Sequence, residues 1–245
     1  MIQVPSYFTQ LGMIVVALTS TFFWNRLDKS RWRIAAFGAL GWIVTVALKF
    51  AWKTPTNSYF EEWLSGELLG DTPYLIYRGF LTGLFECLLL YFILVRTHLK
   101  KLNWTEAIAF GVGFGAVEAF GLGIFLLVRT FSPNAFVDLT YPLYIFAIRL
   151  AVTIVHVFTC VLVLYAVSMK QLSWLFLSFL FKSTFDAVGA IILFGRFLEE
   201  PTQSTLVFLW CMISALISLV GLWYLRRNYN SSSLAGEIVQ VTAAS

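Results

Sequence analysis

Residues 110–123 read FGVGFGAVEAFGLG. The stretch lies inside an apolar segment from Trp104 to Val128 and carries a carboxylate, Glu118, near its middle. An ionisable group in a segment that must cross lipid is costly, and by default it marks a functional site. Gly111, Gly113, Gly115, Gly121 and Gly123 surround it. Glycines at this density lower helix propensity but let neighbouring helices approach closely. Gly111 and Gly115 form an ordinary small-xxx-small packing pair, and GVGFGA follows no strand, so it does not read as a nucleotide-binding loop.

The rest of the chain reads as six further spans packed around this one. Of 245 residues, 59% are hydrophobic and 12% charged, against about 25% charged in a soluble domain. Apolar runs long enough to cross a membrane fall at 7–24, 34–52, 73–95, 104–128, 141–167, 172–195 and 203–225. The expected fold is all-α, a polytopic transmembrane bundle of seven spans. It forms a single membrane domain over 1–227, followed by a polar, disordered cytoplasmic tail over 228–245.

Charge sets the orientation. Alternate loops collect Arg26, Lys29, Arg31, Arg33, Arg96, Lys100, Lys101, Lys170, Arg226 and Arg227, while the opposite loops hold Lys53, Arg129 and Arg196. Lys and Arg are retained on the cytoplasmic side, so the N-terminus is expected outside and the C-terminus in the cytoplasm. The net charge of +4 is thus a topology signal, and no nucleic-acid partner is expected. The longest loop, 53–72, is expected outside, with EEWLSGELL as a short interfacial helix. Cys87, Cys160 and Cys211 all fall within spans, as small apolar groups with no disulfide framework.

Apart from Glu106 at the very start of the fourth span, eight ionisable residues lie within the spans: Lys49, Arg78, Glu86, Glu118, Arg149, His156, Lys182 and Asp186. Counted along their helices at about 1.5 Å per residue, Glu86, Glu118, His156, Lys182 and Asp186 reach mid-membrane. Lys49, Arg78 and Arg149 lie nearer the outer ends. Helical spacing places Lys182 with Asp186 on one face, and Arg149 with His156 on another. Arg78, Thr82 and Glu86 form one stripe, and Gly38, Gly41, Thr45 and Lys49 another. Spans two to six are expected to enclose one polar core, with the first and seventh outside it. The alternative is interhelical glue, in which the charges only neutralise each other in pairs.

Four pieces of sequence now fall in order: Phe85-Glu86-Cys87, Phe114 with Glu118, Arg149 with His156, and Lys182 with Asp186. From about 75 to 195 the chain resembles the YhfC family of intramembrane metalloproteases, in the superfamily of CAAX prenyl proteases, bacteriocin-processing proteins and PrsW. That family carries a Glu-Glu pair in one span and Phe-x-x-x-Glu or Phe-x-x-x-His in the next. A lone His follows, and then a His with Asp or Asn four residues on. Glu86 matches the first Glu, while Cys87 replaces the second and Leu90 a basic residue. Phe114 and Glu118 match within a glycine-rich frame. Arg149 and His156 match, with Ile148 where an acid is usual. Lys182 stands where the last His belongs, and Asp186 matches its partner.

The resemblance implies an integral membrane protein of a prokaryotic cell membrane that hydrolyses peptide bonds within the bilayer. A glutamate would activate water, with His and acidic side chains holding a metal or polarising the scissile carbonyl. Carried over, the catalytic set is Glu86, Glu118, His156 and Asp186, with Glu86 as general base and Glu118 and His156 as metal ligands. Asp186 would orient or ligate, and Lys182, Arg149 and Arg78 complete the core. Zinc is the implied cofactor, and Lys182 opposes it: a protonated Lys cannot ligate and repels a metal ion. A non-catalytic relative that binds a transmembrane peptide or membrane-protein partner is the alternative, beside the surrounding lipids. A small proton-linked transporter is a third class, suited by mid-membrane carboxylates with a His. It is disfavoured by the lack of paired broken helices.

Overall fold

The computed structural model describes residues 2–26, 28–64, 71–131, 135–194, 199 and 202–244, the side chains of 100, 101, 130 and 229–244 excepted. In chain order its elements are β1 (Gln3–Pro5), α1 (Phe8–Asn25), α2 (Lys29–Leu64) and α3 (Thr72–Gly83). A π-helical turn (Leu84–Leu89) joins α3 to α4 (Leu90–Val95), and a 3₁₀ turn (His98–Lys101) leads to α5 (Trp104–Thr130). β2 (Phe136–Asp138), α6 (Thr140–Met169), α7 (Leu172–Phe194) and α8 (Thr202–Ala244) complete the chain. The class is all-α apart from one antiparallel pairing, Gln3↔Asp138 to Pro5↔Phe136, which ties the start of the chain to the α5–α6 connection. The tail expected over 228–245 falls, beyond Asn228, on side chains outside the described set.

Among the described residues, six helices are long and apolar enough to cross a membrane: α2, the continuous α3–α4 unit (Thr72–Val95), α5, α6, α7 and the Thr202–Asn228 part of α8. α1 has 18 residues, about 27 Å of helix, slightly less than the hydrocarbon core. Large apolar side chains of every span point outward, among them Phe37, Phe80, Phe125, Leu143, Phe176 and Trp223. In water such a surface would be unstable. In lipid it is the favoured one.

The hub of the bundle is α6, not α5. In its most apolar stretch 83% of residues are buried, against 28–44% in the other spans. Between Arg149 and Lys170 it has no Asp, Glu, Lys or Arg, and His156 is its one histidine, so it can be enclosed on all sides. α5 packs across it through Gly111, which meets the Val157 backbone, and Gly115, which meets Thr153 and His156. On another face of α5 a Cβ at Gly113 would run into the Ala35 carbonyl, and one at Gly38 would run into the Phe110 carbonyl. The α2–α5 crossing is therefore a backbone-to-backbone contact that only glycine permits at those two positions.

Two boundaries differ from those read in the sequence. The external loop expected at 53–72 is helical as far as Leu64, because α2 continues through Pro55. Proline removes one ladder donor. Around it, the Thr54 and Thr56 hydroxyls donate to the Phe50 and Trp52 carbonyls at 2.8 Å each. Tertiary packing also holds the extension: Phe60 stacks on Tyr77 with centroids 4.5 Å apart, and the Tyr74 hydroxyl donates to Asn57. The interfacial helix expected at EEWLSGELL is, over Glu61–Leu64, simply the end of α2; its remainder lies outside the described residues. The second difference is the wide π turn in the middle of the third span, which contains Glu86.

Candidate functional site

Glu118 follows Gly111 and Gly115 at helical spacing. The small stripe that brings α6 close also aims this carboxylate at α6. Glu118 Oε2 lies 2.8 Å from His156 Nε2 and accepts from the Trp42 indole N–H at 3.1 Å. Its other oxygen is 3.5 Å from the Arg149 guanidinium. Three helices, α2, α5 and α6, thus meet at one carboxylate.

Glu86 enters from the π turn. A π turn is wider than an α turn, and such turns recur at functional sites because they re-aim a side chain. Glu86 Oε1 accepts from Lys49 Nζ at 2.7 Å. Its Oε2 lies 3.3 Å from Lys182 Nζ and 3.8 Å from His156 Nδ1. Lys182 also lies 2.9 Å from Asp186, one turn along α7. His156 is fully buried, flanked on its two nitrogens by the two glutamates, and neither nitrogen is aligned for a hydrogen bond.

One ligand-type atom from each of Glu86, Glu118 and His156 falls within 4.8 Å of the others. The cluster borders a cavity of about 430 Å³, walled by α2, α3, α5, α6, α7 and α8. The charged groups around this cavity are Lys49, Lys53, Arg78, Arg149 and Lys182 against Glu86, Glu118 and Asp186. α1 contributes nothing to it, whereas α8 closes one side with Val207, Trp210 and Cys211. The last span is therefore part of the enclosure, pinned by the Trp210 indole donating to the Phe185 carbonyl at 3.0 Å.

The five residues expected at mid-membrane come together, and Arg149 joins them through Glu118. Arg78 does not reach a carboxylate of the cluster. It lies farther along the cavity wall with its guanidinium 5.4 Å from the Phe194 ring centroid. Lys49, placed by its position nearer the outer end, is a direct partner of Glu86, because a lysine stem carries the ammonium several ångströms from its Cα. Trp42 had no signal in the sequence as a partner of Glu118. Cys87, at the position of the family's second Glu, lies outside the cavity wall and packs against α7, with the Ser178 hydroxyl 3.3 Å from its sulfur.

Residues 12–138 match the family model described as YhfC intramembrane metalloprotease. The match spans more than half of the chain, from α1 to β2, and includes Glu86 and Glu118. This chain belongs to the YhfC family. No curated protein and no solved structure matches it. The YhfC match ends before α6, so His156, Lys182 and Asp186 enter the site through geometry: His156 and Lys182 meet the glutamates of the matched region, and Asp186 joins through Lys182. With its apolar spans and its family, the protein is an integral membrane protein of intramembrane-protease type.

Proposed function

We propose that this protein takes a membrane-embedded peptide segment into the cavity and hydrolyses it, with Glu118 as the water-activating base. The observation that carries the reading is the Glu118–His156 contact at 2.8 Å beside the cavity. Glu86 is a poorer base: both of its oxygens face ammonium groups and its side chain is 3% exposed, against 18% for Glu118. In the proposed step Glu118 takes a proton from water, and the hydroxide forms a C–O bond with the scissile carbonyl. The Lys182 ammonium stabilises the developing oxyanion, as a fixed cation does in a dry site. The C–N bond breaks as Glu118 returns its proton to the departing amine. His156, Trp42 and Arg149 hold the base in place.

The family's metal is the natural alternative source of positive charge, and a catalytic zinc takes three protein ligands and a water. Glu86, Glu118 and His156 are close enough to be those ligands. Their charge is already balanced, however. Lys49, Lys182 and Arg149 face Glu86, Asp186 and Glu118 within 3.5 Å, and a dication would add two uncompensated charges where desolvation is severe. The donor set does not fit zinc while Lys182 is charged, so no step is routed through it.

Orientation belongs to the same proposal. α1 lies antiparallel along α5: Gly123 meets Ile14, Gln10 and Met13, and the Trp24 indole donates to the Thr105 carbonyl at 3.2 Å. That reach, about 27 Å along α5, supports α1 as a seventh span. The Lys/Arg asymmetry of the loops then puts the N-terminus outside and the C-terminus in the cytoplasm, of a prokaryotic cell on the family resemblance.

A second reading has its own support: with three carboxylates and three cations paired, the cluster is chemically closed, as in a non-catalytic relative that only binds its peptide. Purified protein in proteoliposomes with a panel of single-span peptides separates the two. Fragments that appear with wild type and not with Glu118→Gln are expected. Binding without fragments in both would leave the second reading standing.

A further inference from the structure

Beyond the paired cluster, the cavity wall continues outward to Lys53 on α2 and Arg78 on α3. Each lies about one or two turns from a cluster residue: Lys53 is four residues past Lys49, and Arg78 eight before Glu86. Both are half-buried. Among the described residues neither has a carboxylate within 4 Å, whereas every other Lys or Arg on the cavity does. Glu61, two turns beyond Lys53, accepts instead from the Asn57 amide at 3.2 Å. The Arg78 guanidinium is held by rings, 5.4 Å from Phe194 and 6.0 Å from Tyr74. That leaves its N–H edge available for a planar oxyanion. Five cations and three carboxylates border the cavity, so among the described residues its lining carries two more positive charges than negative, with exposed Glu61 acting on Lys53 from outside the wall. Uncompensated charge in so apolar a setting is expensive unless a ligand neutralises it.

We propose that Lys53 and Arg78 form a subsite for a carboxylate of the bound peptide, either an Asp or Glu side chain or a free C-terminus. This deepens the hydrolytic reading by naming a substrate feature, and it rests on that reading for the placement of the scissile bond. Eight residues of helix from Arg78 to Glu86, whose carboxylate lies 3.3 Å from the Lys182 ammonium, span about 12 Å. An extended peptide covers that distance in three to four residues. The preferred substrate therefore has its acidic group three to four residues from the scissile bond, on the side that emerges beyond Arg78. A lipid phosphate would use the same two cations. The continuity of the subsite with the cluster inside one cavity favours the peptide.

Binding is the test, so that turnover is not needed. Wild type and Glu118→Gln in phosphatidylcholine nanodiscs are titrated with fluorescent single-span peptides that differ only by Asp or Asn at that position. The Asp peptide is expected to bind about tenfold more tightly, a modest figure for a charge-assisted hydrogen bond. The preference should vanish in the Lys53→Gln/Arg78→Gln double variant and reverse toward a Lys peptide in Arg78→Glu. Equal binding of the Asp and Asn peptides, or a preference that survives the double variant, overturns the subsite alone. Absence of binding by any peptide overturns both the subsite and the hydrolytic reading. A thermal shift with phosphatidylglycerol that requires Lys53 and Arg78, beside indifferent peptides, assigns the pair to lipid and also overturns the proposal.

Discussion

Lys182 decides the chemistry at the scale of single residues. It bridges Glu86 and Asp186 with its side chain 3% exposed, so removing its charge leaves Asp186 without its cation and Glu86 with Lys49 alone. Lys182→Met is expected to cost about 3–5 kcal/mol, the range for breaking buried pairs, read as a lower melting temperature in detergent. Lys182→His should do something different. It removes the permanent cation and adds a second imidazole to His156, Glu86 and Glu118, a zinc-type set. One equivalent of zinc is expected by elemental analysis of Lys182→His after loading and dialysis. Trp42→Phe keeps the ring and deletes the N–H that Glu118 accepts. Cleavage should fall about tenfold with little change in melting temperature, because one donor to a working carboxylate is lost. Much of this cluster was legible in the sequence. Matching depth and helical spacing named Glu86, Glu118, His156, Lys182 and Asp186 without coordinates. Trp42 and the reach of Lys49 were not legible, because an indole in a membrane span is ordinary and a lysine's Cα depth does not locate its ammonium.

Among elements, the crossings carry the site. Glu118 meets His156 because Gly111 and Gly115 let α5 lie on α6, and it meets Trp42 because Gly38 and Gly113 let α2 lie on α5. Gly113→Leu should separate α2 from α5 and abolish both cooperative unfolding and cleavage, since neither backbone can yield to a side chain there. Gly121, which has open space around it, supplies the control. Gly121→Ala should be neutral or stabilising by about 0.5–1 kcal/mol through helix propensity alone. Thermal unfolding of the two variants side by side checks the pair. The glycine-rich stretch was visible in sequence, and its division between two partners was not. Gly111 and Gly113 differ by two residues and so face different helices, a distinction that depends on which neighbours the bundle supplies. The π turn was equally hidden: LFECLL differs in no obvious way from an α-helical segment.

On the scale of the molecule, the hydropathy pattern fixed the class but not the hub. The sequence drew attention to α5 because its polar residue is conspicuous, whereas α6 is central because it is nearly featureless and can be buried on every side. The boundary at 53–72 was misjudged for a related reason: Pro55 looks like a helix end, and the Thr54 and Thr56 hydroxyls together with the contacts of Phe60 and Asn57 with α3 hold α2 beyond it. For topology, introduced cysteines near Tyr59 and in 229–244 should label from opposite sides of intact vesicles; labelling from the same side would contradict seven spans. The proposed chemistry of this YhfC-family bundle is peptide hydrolysis by a glutamate and a fixed ammonium, without a metal ion. The most direct measurement is the rate of cleavage of a single-span peptide in proteoliposomes titrated with a strong zinc chelator. A rate that stays constant through the titration and is absent in Glu118→Gln is the predicted result. A rate that falls with the chelator and returns on adding zinc would contradict the account.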